Sequence, residues 1–235
     1  MRIACIGAHP NDVELSMGGT VKQMLEVGHE VVLIDLSDGE PSTSSSPGIR
    51  KAESKKAAST LGVERIQLGI AKRHIEDTIA NKKRLAAVFR EIRCQYIFTH
   101  YEFDSHPDHS ATCKITEAAR FYAKLAKSDI EGKPYYPSQI LYYFPSHIKI
   151  NLKPSFCVDI SSHIDTKQAT LSAYESQFLQ KDAGKFLEEI LLLNSFYGLS
   201  INRNYAEPFF IREPLDIISL AKLFHKPVNL HTTSG

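Results

Sequence analysis

The chain has 235 residues, 43% of them hydrophobic and 23% charged, with a formal net charge of +1. This length and composition suit a globular protein with one sizeable core. The chain has no cluster of lysines and arginines of the kind that forms a nucleic-acid-binding surface. No apolar run reaches the roughly 18 residues that a transmembrane helix needs. We therefore expect neither a nucleic acid nor a membrane as a partner.

The four cysteines, Cys5, Cys94, Cys113 and Cys157, are far apart and form no C-x-x-C pair. This pattern is typical of reduced thiols in the cytoplasm, where disulfides are rare. The apolar residues 1–8 lack the charged region, the longer apolar region and the cleavage site of a secretion signal. We therefore expect a cytoplasmic protein whose first residues form a strand.

Strand and helix patterns alternate along the first part of the chain. Arg2–Ala8 is a buried strand candidate, Val13–Val27 is a predicted helix closed by Gly28, and Glu30–Leu36 is the second strand. This alternation predicts an α/β fold, a Rossmann-like and mostly parallel sheet flanked by helices. The further predicted elements are the helix Ile49–Leu61 ended by Gly62, the strand Arg65–Gly69, the helix Asp77–Arg93, the strand Gln95–His100, the helix Asp108–Ala126, the strands Gln139–Phe144 and Phe156–Ile160, and the helices Thr166–Phe178 and Ala183–Leu199.

The segment Ser37–Gly48 is rich in Ser, Gly and Pro and follows the second predicted strand. Ligands bind beyond the carboxyl ends of strands in open α/β sheets, so this segment is either a substrate loop or a mobile surface loop. The chain shows no internal repeat and no linker. We expect one domain over residues 1–224 and a flexible tail over residues 225–235.

The first motif with chemical content is A-H-P-N-D-V-E, Ala8–Glu14, where the first strand ends and a helix begins. His9 and Asp12 are three residues apart across a turn that Pro10 restricts, so both side chains can converge on one point. An imidazole and a carboxylate together suit zinc or a similar divalent metal. The structural alternative makes Asp12 the N-cap of the helix.

The second motif is S-H-P-D-H, Ser105–His109, after the fourth predicted strand. The carboxyl ends of parallel strands lie at one edge of a sheet, so we expect the two motifs to meet there. His106 and His109 are three residues apart around a proline, and one can bind a metal while the other faces the substrate. A single histidine here would have a structural explanation. Two matched turns at two strand ends predict a mononuclear metal site.

Both motifs resemble those of the LmbE-like, or PIG-L-type, zinc deacetylases, which carry A-H-P-D-D-x-E near the N-terminus and H-P-D-H after a later strand. The resemblance covers nearly the whole chain. The segments Gly18–Thr20, Ala173–Phe178 and Tyr205–Leu215 are most similar to the branch that serves bacillithiol biosynthesis. The resemblance implies hydrolysis of the N-acetyl group of an N-acetylglucosamine-containing small molecule by a homo-oligomer, a trimer or a hexamer.

The resemblance also implies roles for individual residues. It assigns the metal, zinc or alternatively Fe²⁺, to His9, Asp12 and His109. It implies that His106 stabilises the tetrahedral oxyanion as a cation and that Asp108 supports His106.

One position departs from the family pattern. Asn11 stands where the family has its general base, and an amide does not take up a proton near pH 7. The expected loss is the roughly 10²–10⁴-fold that general base catalysis supplies. Three explanations are open. Asn11 is a deliberate substitution that traps a substrate complex, or it is natural in a protein that binds its ligand but hydrolyses it slowly. In the third, Glu14 or the metal-bound hydroxide serves as the base instead. The resemblance also matches Arg50 to an arginine that contacts substrate; the structural alternative is an exposed arginine near a helix N-terminus.

Three other classes of function explain less of the sequence. A protein that binds metal and sugar without useful catalysis is supported by Asn11. A nucleotide-binding domain would need G-x-G-x-x-G or a P-loop, and a serine hydrolase would need G-x-S-x-G; the chain lacks all three. The sequence therefore predicts a metal-dependent N-deacetylase whose catalytic competence depends on Asn11.

Overall fold

A computed structural model describes residues 1–40, 48–144, 153–178 and 183–225 of the protein. Most of the predicted loop after the second strand and nearly all of the predicted tail lie outside the described residues. The domain boundaries at residues 1–224 stay a prediction. Within the described part, no helix is both long and apolar enough to cross a membrane.

Strands and helices alternate through the first half of the chain, as predicted. The described elements are β1 (Arg2–Gly7), α1 (Asp12–Glu26), β2 (Glu30–Ser37), α2 (Ile49–Leu61), β3 (Glu64–Ile70), α3 (Ile79–Ile92), β4 (Tyr96–His100), α4 (Pro107–Ala123), β5 (Gln139–Tyr143), β6 (Phe156–Asp159), α5 (Ile164–Leu171), α6 (Glu175–Phe178), α7 (Ala183–Ser200), β7 (Ala206–Ile211) and α8 (Ile217–Phe224). Gly62 ends α2 as predicted, because its φ of 80° is left-handed and its N–H bonds the carbonyl of Ala58.

Seven described strands form one sheet in the order β3-β2-β1-β4-β5-β7-β6. The strands β1 to β5 pair in parallel, and β7 is antiparallel to both β5 and β6. The order reverses at β1 and β4, since β2 and β3 extend to one side and β5 to the other. Such a switch point leaves a crevice at the carboxyl ends of the two central strands. The α/β prediction with a mostly parallel sheet is confirmed.

The sheet is buried on both faces. Ala4 and Ile6 of β1 belong to one apolar cluster, while Ile3 and Cys5 belong to a second cluster. All four side chains are fully buried. Burial on both faces explains why this strand is a continuous apolar run instead of an alternating one. The four cysteines are free thiols, as expected.

The C-terminal part differs from the prediction. The predicted helix over residues 166–178 is two helices, α5 and α6, with a turn at residues 172–174. The turn directs Tyr174 into the interior, where its hydroxyl bonds Glu14 at 2.6 Å. This hydrogen bond joins residues that are distant in sequence, and it favours the turn although the local sequence has a helical pattern.

Two elements had no counterpart in the sequence prediction. The strand β7 contains Pro208, which disfavours a strand in the middle of a sheet, yet it pairs on both sides. The helix α8 begins after Asp216, whose carboxylate caps it by accepting the N–H of Ser219 at 2.8 Å. That N-cap was a usable sequence signal for the helix.

Candidate metal centre

The two H-P motifs meet at the switch point of the sheet. The first follows β1 and precedes α1, and the second follows β4 and begins α4. β1 and β4 are neighbours, with Ile3 opposite Tyr96 and Cys5 opposite Phe98. Adjacent parallel strands therefore deliver both motifs to the same edge, as predicted.

Asp12 organises the turn after β1. Its Oδ2 accepts the N–H of His9 at 2.8 Å. Asn11, not Asp12, is the N-cap of α1; it has a left-handed φ of 99° and its side chain makes no capping hydrogen bond. Asparagine tolerates this conformation better than most residues. The structural alternative for Asp12 is therefore wrong, and its carboxylate faces the histidines.

His9, Asp12 and His109 lie together and are 5%, 3% and 1% exposed. Nδ1 of His9 and Nε2 of His109 each lie 3.5 Å from Oδ2 of Asp12. Two donor atoms bound at about 2.1 Å to a tetrahedral zinc ion stand about 3.4 Å apart. Both nitrogen–oxygen distances match this spacing, but these three residues together are not one of the described sets of donor atoms that all lie within 4.8 Å of one another.

A carboxylate holds the far nitrogen of each of these histidines. Oδ2 of Asp108 lies 2.8 Å from Nε2 of His9, and Oδ2 of Asp104 lies 2.7 Å from Nδ1 of His109. Such contacts fix the tautomer and turn the other ring nitrogen toward a metal. Sequence analysis did not identify Asp104; its signal was a carboxylate in the loop directly before S-H-P-D-H.

The carboxylates create a strongly negative field at this point. Burial opposes the charged form of His109, but Asp12 and Asp104 outweigh it and raise its pKa to about 10. Burial likewise opposes the raised pKa of His9, which results from its hydrogen bonds to Asp108 and Asp12. A field that attracts protons to two imidazoles also suits a divalent cation.

His100, the last residue of β4, completes the cluster. Its Nε2 lies 3.1 Å from Oδ2 of Asp12, and its ring stacks on that of His109 with centroids 4.0 Å apart. Burial lowers the pKa of His100 to about 4, so the ring is neutral. The described residues offer two sets of donor atoms within 4.8 Å of one another, and both include His109: His9 with His106, and Asp12 with His100.

His106 is the N-cap of α4 and is half-buried. Its Nδ1 accepts the N–H of Asp108 at 3.2 Å, which leaves the proton of a neutral ring on Nε2. Burial and the neighbouring His109 lower the pKa of His106, which disfavours the cationic form that the resemblance implies. The carboxylate of Asp108 contacts His9 and accepts the N–H of Arg73 at 2.9 Å, and its charge partly offsets the lowered pKa of His106.

A cavity of about 350 Å³ opens over these side chains, a size found among small-molecule sites. All the predicted site residues except Asp108 line it. The lining residues are His9, Asn11, Asp12, Leu15, Arg50, Lys72, His106, His109, Gln177, Phe178 and Phe186.

Arg50 is 2% exposed, so the expectation of an exposed arginine is wrong. Its Nη2 donates to the carbonyl of Pro10 at 2.9 Å. Nε and Nη1 have no hydrogen-bond partner among the described residues. Gly39 gives the guanidinium room, because a Cβ at that position would stand 2.9 Å from Nε.

Glu14 belongs to a buried hydrogen-bond network outside the cavity lining. It is fully buried, and its Oε1 accepts hydrogen bonds from Arg65 at 2.7 Å and from Tyr174 at 2.6 Å. It does not line the cavity. The suggestion that Glu14 replaces the missing base is therefore wrong, and its structural role is confirmed.

The segment A-Y-E-S-Q-F, Ala173–Phe178, forms one wall of the cavity. The N–H and the hydroxyl of Ser176 donate to the carboxylate of Glu53 at 2.6 and 2.7 Å. The next two residues, Gln177 and Phe178, line the cavity. Since Glu53 lies on α2, one helix positions both this wall and the buried arginine.

Comparison with known proteins identifies the family. The family model described as PIG-L, GlcNAc-PI de-N-acetylase, matches residues 4–120. A diacetylchitobiose deacetylase of Thermococcus kodakarensis is 28% identical over 222 residues, which is 88% of this chain and 81% of that protein.

Solved structures agree with this assignment. A conserved protein from Thermus thermophilus has a TM-score of 0.84 and 31% identity, covering 91% of this chain and 95% of that one. The N,N′-diacetylchitobiose deacetylase from Pyrococcus horikoshii, solved with an inhibitor, has a TM-score of 0.81 and 26% identity, covering 90% and 83%. With both H-P motifs at the switch point of this fold, the chain belongs to the PIG-L family.

Proposed function

We propose that the protein is a zinc-dependent N-deacetylase that removes the acetyl group of an N-acetylglucosamine-containing small molecule. One observation carries the proposal. Two histidines, His9 and His109, are each held from behind by a carboxylate and each direct a ring nitrogen toward Oδ2 of Asp12. The names of the relatives, which are deacetylases of an N-acetylated disaccharide, support the choice of substrate.

His9, Asp12 and His109 would hold the ion, with Fe²⁺ the alternative to zinc, because imidazole and carboxylate donors suit both. Once bound, the ion supplies an acidic water and polarises the amide carbonyl. His100 lies against the carboxylate of Asp12 and does not line the cavity, and its Nε2 accepts the N–H of Ala8 at 3.1 Å.

Side chains of the cavity position the water, bind the substrate and stabilise the developing charge. His106 donates from Nε2 to the amide oxygen as that oxygen gains charge; removing such a donor costs about 10²–10³-fold in rate. Asn11 holds the attacking water by a hydrogen bond but does not take its proton. Arg50 offers two unpartnered nitrogens to the substrate.

The alternative is a protein that binds metal and sugar with little catalysis. It rests on Asn11 alone, and the deacetylase relatives do not favour it. Membership of the bacillithiol branch, a trimeric or hexameric assembly and a cytoplasmic location are further proposals from the sequence.

Acetate release from N,N′-diacetylchitobiose by the zinc-loaded protein tests the function. We expect slow release that a chelator stops and that His109→Ala abolishes. His74→Ala, which changes an exposed histidine outside the cavity, is the matched control. Tight sugar binding without any acetate release at high enzyme concentration, even by Asn11→Asp, would contradict the proposal.

A further inference from the structure

We infer that Glu207, which lies outside the cavity lining, is a positioning residue for the metal centre. Its carboxylate holds a bend in α1, and this bend determines where Asn11 and Asp12 stand in the cavity. Lys167 is its partner in this role. The inference rests on the proposed function for the ion that Asp12 binds.

The helix α1 is not straight. Met17, near its middle, has a φ of −145° and a ψ of 25°, which are not helical values. This residue divides α1 into a first part, residues 12–16, and a second part, residues 18–26. The first part follows Asn11 and carries Asp12 and Leu15, and all three residues line the cavity. The direction in which they point therefore depends on the bend at Met17.

The bend coincides with a carboxylate from another element. Glu207 of β7 accepts the N–H of Gly19 at 3.1 Å with one oxygen and the N–H of Thr20 at 2.7 Å with the other. In a straight helix these two N–H groups bond the carbonyls of Leu15 and Ser16. Sharp bends occur where a side chain enters the hydrogen-bond ladder of a helix. The carboxylate of Glu207 therefore explains the bend.

Met17 stands where the N-cap of the second part would be. Counted from it, Gly19 and Thr20 are the second and third helical residues, whose N–H groups an N-cap side chain normally bonds. The thioether of Met17 is a weak acceptor, and the side chain is fully buried in an apolar cluster. Glu207 therefore supplies both acceptors in its place.

Lys167 neutralises the capping carboxylate. Its Nζ lies 2.6 Å from Oε1 of Glu207, and both side chains are fully buried. A buried charge without a partner is strongly destabilising, so each residue of the pair needs the other. The stem of Lys167 also packs at the bend, because a Cβ on Gly18 would stand 3.5 Å from its Cγ. A Cβ on Gly19 would come within 2.7 Å of Ile160, so only glycine fits there.

Two segments that the sequence singled out, without a role in the chemistry, meet at this point. Gly18–Thr20 begins the second part of α1, and Tyr205–Leu215 contains Glu207. Neither segment lines the cavity. Two glycines inside a helix are unfavourable by propensity. The close approach of Lys167 and Ile160 accounts for them, and the bend connects both segments to the metal centre.

Replacing the ion pair by two apolar residues removes the acceptors without leaving a buried charge. In Lys167→Met/Glu207→Met the freed N–H groups have the carbonyls of the preceding turn as partners, so we expect α1 to straighten. A crystal structure of the metal-free variant measures this, with Met17 expected at roughly −63° and −42°. We also expect zinc to bind about tenfold or more weakly, measured by competition with a chromophoric chelator, because Asp12 is displaced.

A second variant and a control accompany this test. Lys167→Met/Glu207→Gln keeps the side-chain shape and one acceptor, and we expect its zinc affinity to lie between those of the unchanged protein and the Met pair. It carries the test where the Met pair does not fold. Asn194→Ala controls for lost stability, since Asn194 of α7 is buried and donates to the carbonyl of Ala206, beside Glu207, at 3.0 Å. We expect this control to lower the urea midpoint and to keep the zinc affinity.

Three results would overturn the inference. They are a bend at Met17 that persists in the folded double variants, a zinc affinity in them equal to that of the unchanged protein, and an equal loss of zinc affinity in Asn194→Ala.

The outcomes distinguish this inference from the proposed function. The bend is measured without metal, so a straightened α1 supports the role of Glu207 even if the unchanged protein binds no zinc and the proposed function fails. If the unchanged protein binds zinc and releases acetate while the variants keep the bend, the proposed function stands and the positioning role fails.

Discussion

Asn11 decides how fast the cavity performs chemistry. Its left-handed backbone directs the side chain into the cavity instead of capping α1. Aspartate adopts the same backbone conformation readily, so a carboxylate can replace the amide without a change of fold.

We predict that Asn11→Asp raises acetate release by about 10²–10⁴-fold, because it restores a proton acceptor beside the water. Zinc content stays the same. Steady-state rates of both proteins on N,N′-diacetylchitobiose provide the measurement. Asn202→Asp is a matched control, since Asn202 also has a positive φ, 57°, but lies outside the cavity. Equal turnover of Asn11→Asp and the unchanged protein would contradict this role.

Asp104 provides a second test at the residue scale. Its contact with Nδ1 of His109 fixes the tautomer that presents Nε2. We predict that Asp104→Asn weakens zinc binding by about 10–100-fold, measured by competition with a chromophoric chelator. Asp129→Asn, at an exposed carboxylate, is the control. An unchanged zinc affinity would show that Asp104 plays no part in holding the ligand.

Sequence reasoning found the residues whose type and spacing are distinctive within one turn. His9, Asp12 and His109 belong to that group. Asp104, His100 and Glu207 do not, because their importance depends on which strands are neighbours and on how loops pack. A short motif carries the ligands, while the groups that orient them are set by tertiary structure.

At the scale of elements, α2 links the two sides of the cavity. It carries Arg50 into the cavity and, through Glu53, fixes Ser176 beside the wall residues Gln177 and Phe178. The sequence predicted the bounds of α2 correctly, yet it could not show that Glu53 bonds a residue so distant along the chain.

We predict that Glu53→Ala raises KM about tenfold, because the variant loses both oxygens that accept the N–H and the hydroxyl of Ser176. We expect kcat and zinc content to change little. Glu91→Ala, at an exposed position on α3, is the control. A loss of zinc, or an unchanged KM, would contradict the role of Glu53 in positioning the wall.

For the whole molecule, the parallel half of the sheet was predictable because period, length and glycine signals agree along each element. The antiparallel pair was not, since β7 contains a proline and its partners are distant in sequence. The switch point between β1 and β4 is a property of strand order. It explains why two distant motifs share one site, and no local pattern contains it.

A buried network of charges beneath the site connects stability to pH. Burial raises the pKa of Asp35 to about 7, although Arg65 lies 3.3 Å away and opposes the shift. The unfolded chain binds this proton only near pH 4 or below. The carboxyl therefore contributes stability that is complete below about pH 4 and is lost as pH rises through about 7.

We predict that the free energy of unfolding of the unchanged protein, relative to that of Asp35→Asn, falls as pH rises from about 4 to 7. The reason is that the variant has no carboxyl to ionise at this position. Urea unfolding of both proteins across this range measures the difference in free energy. A difference that stays constant with pH would contradict the raised pKa.

The proposed function requires that His9, Asp12 and His109 bind one divalent ion. Metal analysis of the zinc-loaded and dialysed protein tests it most directly, with Asp12→Ala and His109→Gln beside the control His74→Ala and circular dichroism to verify folding. We predict one zinc per chain in the unchanged protein and in the control, and none in the two folded site variants. Zinc retained by both site variants, or absent from the unchanged protein, would contradict it.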